Sequence, residues 1–182
     1  MNFAAQYIPD IIGATVQAAA TKLGYPLYYQ WGHYADVLRI MTAKDKSITQ
    51  DGTKYPLVWL RTDFIENVMS YGGYASVNFQ LFIIKDSLAN YTVDERRDNT
   101  FLPVLYPIYN ELINQITKGV PYFGRPYLMQ LQHQKIDHAY WGKQDNNGNG
   151  VANLFNDVCD VIEIKNLKLN IDFNCPIPKL IN

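Results

Sequence analysis

"VCDVIEIKNLKLNIDF", residues 158–173, is apolar at alternate positions but changes phase in the middle. Ile162 and Ile164 share one parity, whereas Leu167, Leu169, Ile171 and Phe173 share the other. Side chains of a regular strand alternate between faces, so both sets cannot reach one core. Two solutions exist. A bulge near Lys165–Asn166 would rephase the strand onto one core. Without a bulge, the second set faces away and needs a partner subunit to cover it. The second solution predicts an assembly surface made of Leu167, Leu169, Ile171 and Phe173. The loop that precedes the strand, with Asp145, Asn147 and Asn149, would join it.

Working back from that strand, residues 75–86 are the clearest strand in the chain. Val77, Phe79, Leu81 and Ile83 alternate with Ser76, Asn78 and Gln80, which puts one face on the core. "YPLVWLRTDF" (55–64) is a short apolar run after an Asp-Gly turn signal and reads as another strand. Aromatic, β-leaning sequence follows Pro26, then a short helical stretch, "ADVLRIM". A further strand is expected around Tyr127–His133, and a loop over residues 142–150.

Two longer helices are announced. Ile8, Ile11, Ile12, Val16, Ala19, Ala20 and Leu23 recur at helical spacing over residues 8–23, with Pro9 in the first turn and Gly24 at the end. Thr92 and Glu95 form a capping-box pattern that opens a helix over residues 93–118. Its apolar face runs Phe101, Leu105, Ile108, Tyr109, Leu112, Ile113, Ile116. Pro103 and Pro107 lack a backbone donor and clash one turn back, so this helix kinks near residues 99–107 or splits in two. The order of elements predicts an α+β domain over residues 1–182. A mostly antiparallel sheet packs on two helices, one kinked by prolines, and an extended tail begins at about residue 174.

Composition narrows the function. The 182 residues carry a formal net charge of −1, which is unlike a protein that grips nucleic acid by counterion release. The 14 tyrosines are amphipathic rings suited to partly buried surfaces. Neither Cys159 nor Cys175 stands in a C-x-x-C pair. The N-terminus has no basic stretch ahead of its apolar residues and does not read as a secretory signal. No apolar run approaches a membrane span.

"KQDNNGNGVANLFND" (143–157) opens like a calcium loop, with Asp145, Asn147, Asn149 and Gly150 at matching positions. The twelfth position, where a bidentate glutamate is needed, is Asn156. A turn-forming loop is the better reading, and a calcium-modulated binding module using residues 145–156 is the alternative. His33, His133 and His138 form no metal or hydrolase motif, although Asp137-His138 leaves a hydrolase as a third reading. The alternating charges of "DERRD" (94–98) read as a solvated helix face. The residues thus predict a protein that is not an enzyme and needs no cofactor or metal.

Three blocks carry a resemblance: "YPLVWLRTDF", "RDNTFLPVLYPIYNELINQI" and "NLFNDVCDVIEIKNLKLNI". Together they resemble small proteins of tailed phages and prophages of Bacteroides-type bacteria. These are similar to tail-completion, tail-terminator and head–tail connector proteins, and to the neck rings of crAss-like phages. The resemblance implies a virion subunit assembled in the host cytoplasm into a homo-oligomeric ring of six or twelve copies. Its neighbours would be the portal and other neck or tail proteins. DNA would be only a transient occupant of the lumen, and no membrane would be involved. Near-neutral charge suits a channel that must conduct DNA without holding it.

Overall fold

The structure is a computed structural model that describes residues 7–45, 54–68, 74–118, 131–142 and 157–172. The elements run α1 (Ile8–Leu23), β1 (Tyr28–Gly32), α2 (Tyr34–Asp45), β2 (Leu57–Arg61), β3 (Ile65–Val68) and β4 (Tyr74–Asp86). A long kinked helix follows, made of α3 (Val93–Arg96), a π-helical segment (Arg97–Leu105) and α4 (Tyr106–Lys118). β5 (Gln134–Gly142) and β6 (Val158–Asp172) complete the chain's described elements. The strands form one sheet in the order β1-β2-β4-β6-β5, with β3 also paired to β4. Among the described strands, only β1 and β2 run parallel. The fold is α+β with a mostly antiparallel sheet, as the sequence predicts.

The phase change in β6 is solved by a bulge. Phe79 pairs with Leu167 and Leu81 with Ile164, so Lys165 and Asn166 together stand opposite Gln80. Asn166 takes a left-handed backbone, φ 57°, which a short amide side chain tolerates better than most. Ile162, Ile164, Leu167, Leu169 and Ile171 therefore all enter one core. This corrects the expected assembly surface. Leu167, Leu169 and Ile171 are buried within their own chain, Leu169 being the most exposed at 5%. The magnitudes favour this outcome. Left-handed backbone costs about 1–2 kcal/mol for an ordinary residue, whereas burying each of the three side chains contributes about 1.5–3 kcal/mol. Phe173, Asp145, Asn147 and Asn149 lie outside the described residues, as does the tail from 174.

The core under this face is closed by α1 and the kinked helix. Ile8, Ile11, Ile12, Val16, Ala19 and Ala20 of α1 meet Leu105, Ile108, Leu112 and Ile116 over Val77, Phe79, Leu81 and Ile83. α1 approaches β1 closely: the Tyr29 hydroxyl donates to the Pro9 carbonyl at 2.8 Å. A Cβ on Gly13 would stand 3.0 Å from the same tyrosine ring, so only glycine fits there without displacing it. The short helix α2 lies on the opposite side of the sheet, where Val37 and Met41 join a second core with Leu57, Trp59, Phe82, Ile84, Trp141, Cys159 and Val161. The two expected helices thus cover one face, and α2 serves the other.

The proline-bearing helix stays continuous by widening. Pro103 sits inside the π-helical segment, and at the segment's end the Tyr106 N–H reaches back five residues to the Phe101 carbonyl. A wider turn moves the proline ring away from the carbonyl one turn back. Side chains add donors in this stretch: Asn99 Nδ2 bonds the Glu95 carbonyl at 2.8 Å, and Thr100 Oγ1 lies 2.6 Å from the Arg96 carbonyl.

Of the strand expected around Tyr127–His133, residues 127–130 lie outside the described residues. Residues 131–133 are not strand, and β5 starts at Gln134. β5 escapes an apolar-alternation reading because it is an edge strand with a polar pattern. Its register also shifts between His138 and Trp141, where Tyr140 has φ 54°.

Replacing Asn166 by glycine should leave stability nearly unchanged, whereas Asn166→Val should cost about 1–2 kcal/mol. Leu169→Ala should cost about 2–5 kcal/mol as a core truncation. Urea unfolding of the three variants checks this; a Leu169→Ala protein as stable as the wild type would place that side chain outside the core.

Candidate functional site

The second face of the sheet is divided. Leu57 and Trp59 of β2 share it with Arg61, and Phe82 and Ile84 of β4 share it with Gln80, by simple alternation. β6 contributes Cys159, Val161, Glu163 and Lys165 in the same way. One half is apolar and aromatic: Trp59 stacks on Phe82 at 4.8 Å between centroids, and Phe82 on Trp141 at 5.3 Å. The Trp59 indole N–H donates to the Gly32 carbonyl at 3.0 Å, which satisfies its polar edge. Beyond this cluster the face becomes a polar relay across four strands.

Arg61 Nη1 donates to Gln80 Oε1 at 3.1 Å, and the Gln80 amide nitrogen donates in turn to Glu163 Oε1. His138 Nε2 lies 2.8 Å from Glu163 Oε2, and Lys165 Nζ 3.1 Å from Glu163 Oε1. One carboxylate, 4% exposed, therefore gathers three partners. Burial alone pushes the Glu163 carboxyl up, and the hydrogen bonds from His138, Gln80 and Lys165 outweigh it, so the group sits below its ordinary value. The bulge at Lys165–Asn166 and the turn after β2 open a cleft at the end of this relay.

A second cluster pins the kinked helix to β6. Arg96 and Asp160 have side chains 2% and 0% exposed, and Arg96 Nη1 meets Asp160 Oδ1 at 2.6 Å. Arg96 also donates to Ser87 Oγ at 2.8 Å and to the Leu88 carbonyl at 2.7 Å. Its guanidinium carbon stands 3.6 Å from the centre of the Tyr140 ring. Thr100 Oγ1 lies 2.7 Å from Asp160 Oδ2; its single proton serves either that oxygen or the Arg96 carbonyl. A buried ion pair needs such extra partners to offset desolvation. The "DERRD" stretch is thus split. Arg97 is a surface residue, 3.0 Å from Asp94 and 2.8 Å from Asp98, but Arg96 is a core residue. The missed signal is the spacing of Arg96, Thr100 and Leu105, four and then five residues, which follows one face through a π turn.

The remaining titratable groups are dispersed. His133 bonds the Tyr109 hydroxyl at 2.7 Å, on the side of the kinked helix. Asp137 accepts from the Tyr106 hydroxyl at 2.8 Å, while its neighbour His138 points to the opposite face. The Asp137-His138 pair therefore does not work as a unit. The Cys159 thiol is buried, and burial pushes it up to about 12, which keeps it protonated and unreactive near neutrality. It lies 3.5 Å from the Tyr55 hydroxyl, which donates to Asp157 at 2.9 Å. Among the described residues, no group of three or more His, Cys, Asp or Glu is placed to hold a metal. The 145–156 loop lies outside them.

No protein-family model matches this sequence, and no curated protein matches it either.

Truncating either member of the buried pair, by Arg96→Met or Asp160→Leu, should cost about 3–5 kcal/mol. The double variant should cost less than the sum, because no charge is then left unpaired; additive losses in a urea double-mutant cycle would contradict the pairing.

Acid should also weaken the fold through Glu163. Its value in the folded state is lowered, so its contribution is present above the ordinary glutamate range and is lost as pH falls through the folded value. The stability gap between wild type and Glu163→Gln should therefore narrow from neutrality to below about pH 4. A gap that stays constant across that window would remove Glu163 from the acid response.

Proposed function

We propose that this chain is a structural subunit of a ring in the neck or tail of a tailed phage, joining portal to tail around a DNA passage. Its role is assembly, not catalysis. The reading rests first on the three blocks of resemblance, which fall on β2, the kinked helix and β6, the elements that build the core.

The structural observation that supports it is a pair of unlike apolar surfaces on different flanks. At the β1 edge of the sheet, Tyr7 packs edge-on against Trp31 with centroids 5.3 Å apart, and Tyr34 lies beside His33 at 5.0 Å. Tyr7, Trp31 and Tyr34 are all exposed, Trp31 at 42%. The other surface follows the end of β4 and the start of the kinked helix, where Leu88, Val93 and Leu102 are exposed. That helix is tied through Arg96 to β6 and β5, on the far side of the sheet from β1. A head-to-tail ring needs two different surfaces of this kind, one for each neighbour. Large exposed aromatic side chains are also the usual anchors of such contacts. The second copy is thus the occupant of both surfaces, and the sheet edge at β1 is covered by assembly.

This assignment replaces the 167–173 strand face as the contact surface. The 143–157 loop, with Asp145, Asn147 and Asn149, keeps its proposed part in the assembly.

The wild-type chain should appear in native mass spectrometry as a closed species of six or twelve copies. Trp31→Glu combined with Tyr34→Glu should give a monomer with an unchanged circular dichroism spectrum and melting curve. A wild type that is monomeric both alone and in the assembled particle overturns the ring, and an assembled double variant overturns this contact.

A further inference from the structure

The cleft beside the Glu163 relay has a volume of about 310 Å³, at the small end of ligand pockets. It forms where β2 ends, β3 begins and β6 bulges. Two of the three non-glycine residues with left-handed backbone among the described residues, Asp63 (φ 80°) and Asn166 (φ 57°), line it. Uncommon backbone conformations collect where a structure holds a ligand in place.

The charges on its walls do not cancel internally. Arg61 is exposed, and its side-chain hydrogen bond goes to the neutral Gln80 amide. Gln80 is itself held by Glu163, so the guanidinium is oriented without being neutralised. The fork of N–H donors that remains is suited to bidentate contact with an oxyanion. Lys165 brings a second cation to the cleft and shares the buried carboxylate of Glu163 with His138 and Gln80. Asn78, Thr62 and Asn166 add neutral polar groups to the lining.

Asp63 lines the same cleft. A multiply charged anion such as a phosphate monoester would be repelled by it. A carboxylate next to a hydroxyl or amine would instead satisfy both signs, the carboxylate on Arg61 and Lys165 and the donor on Asp63. We infer that the cleft between Arg61, Lys165 and Asp63 binds a small carboxylate bearing a neighbouring hydrogen-bond donor, of the hydroxy-acid or amino-acid type. The site belongs to the single chain and stands whether or not the chain forms a ring.

The experiment is a ¹⁵N NMR titration of the full chain with glycine, lactate, acetate and inorganic phosphate as separate probes. Glycine or lactate should give saturable shifts confined to the Arg61 side chain, the Asn78 and Asn166 amides and their neighbours, with acetate weaker by about tenfold. Arg61→Gln should abolish the response. Lys168→Gln, an exposed position of β6 outside the cleft lining, should leave it intact. Asp63→Asn should erase the preference for glycine and lactate over acetate. No saturable shift, or a response that survives Arg61→Gln, overturns the site. A stronger response to phosphate than to any carboxylate, or a preference unchanged in Asp63→Asn, overturns the ligand class.

Discussion

Asn166 holds a left-handed backbone in the middle of a fifteen-residue strand, and the architecture depends on that one residue. It allows two residues of β6 to stand opposite one of β4, which turns the second half of the strand back toward the helices. Without it, Leu167, Leu169 and Ile171 would leave the core, and the helices above would lose much of the surface they cover. The same irregularity places Lys165 and Asn166 in the wall of the polar cleft, so the stabilising device and the cleft share residues. A bulge of this kind is a feature of the fold and not a defect in it.

The π-helical turn plays a comparable part on the other side of the sheet. Two prolines in one helix would ordinarily break it. Here the widened turn keeps the helix continuous and at the same time sets Arg96 and Thr100 over Asp160. The ion pair fixes the start of the helix to the central strand β6. Its cost in desolvation is offset by Ser87, the Leu88 carbonyl and the Tyr140 ring. Cation and aromatic face meet there away from water, where the contact is strongest.

These two devices leave the molecule with unlike surfaces. α1 and the kinked helix cover the apolar core on one sheet face. α2 closes only part of the other, and the remainder is organised around a single buried carboxylate. Exposed aromatic residues then concentrate at the β1 edge, where the sheet has no further strand among the described residues. A ring subunit reading and a small-molecule cleft are compatible because they use different parts of this surface: the first uses the flanks, the second the open sheet face.

Periodicity determined the long elements. α1, β4, β6 and the proline-bearing helix are each longer than ten residues, with apolar positions that recur over several turns or alternations. The Thr92–Glu95 capping box was equally legible, because its bonds are local. The sequence also reduced β6 to two alternatives, a bulge or a covered outer face. Only the tertiary structure decided between them, because the choice depends on what lies above Leu167–Ile171. It likewise decided that Arg96 is buried while Arg97 is exposed, since the partner Asp160 is 64 residues away. The short strands β3 and β5 were not legible. Their residues answer to neighbours instead of to a period: Lys135 lies over the Tyr106 ring at 4.3 Å, and His138 meets Glu163 from another strand. The cleft was hidden for the same reason, as Arg61, Asp63 and Lys165 come together only when β2, β4 and β6 pair in register. Local sequence specifies periods and caps, whereas burial of charge and the meeting of distant side chains are properties of the packed sheet.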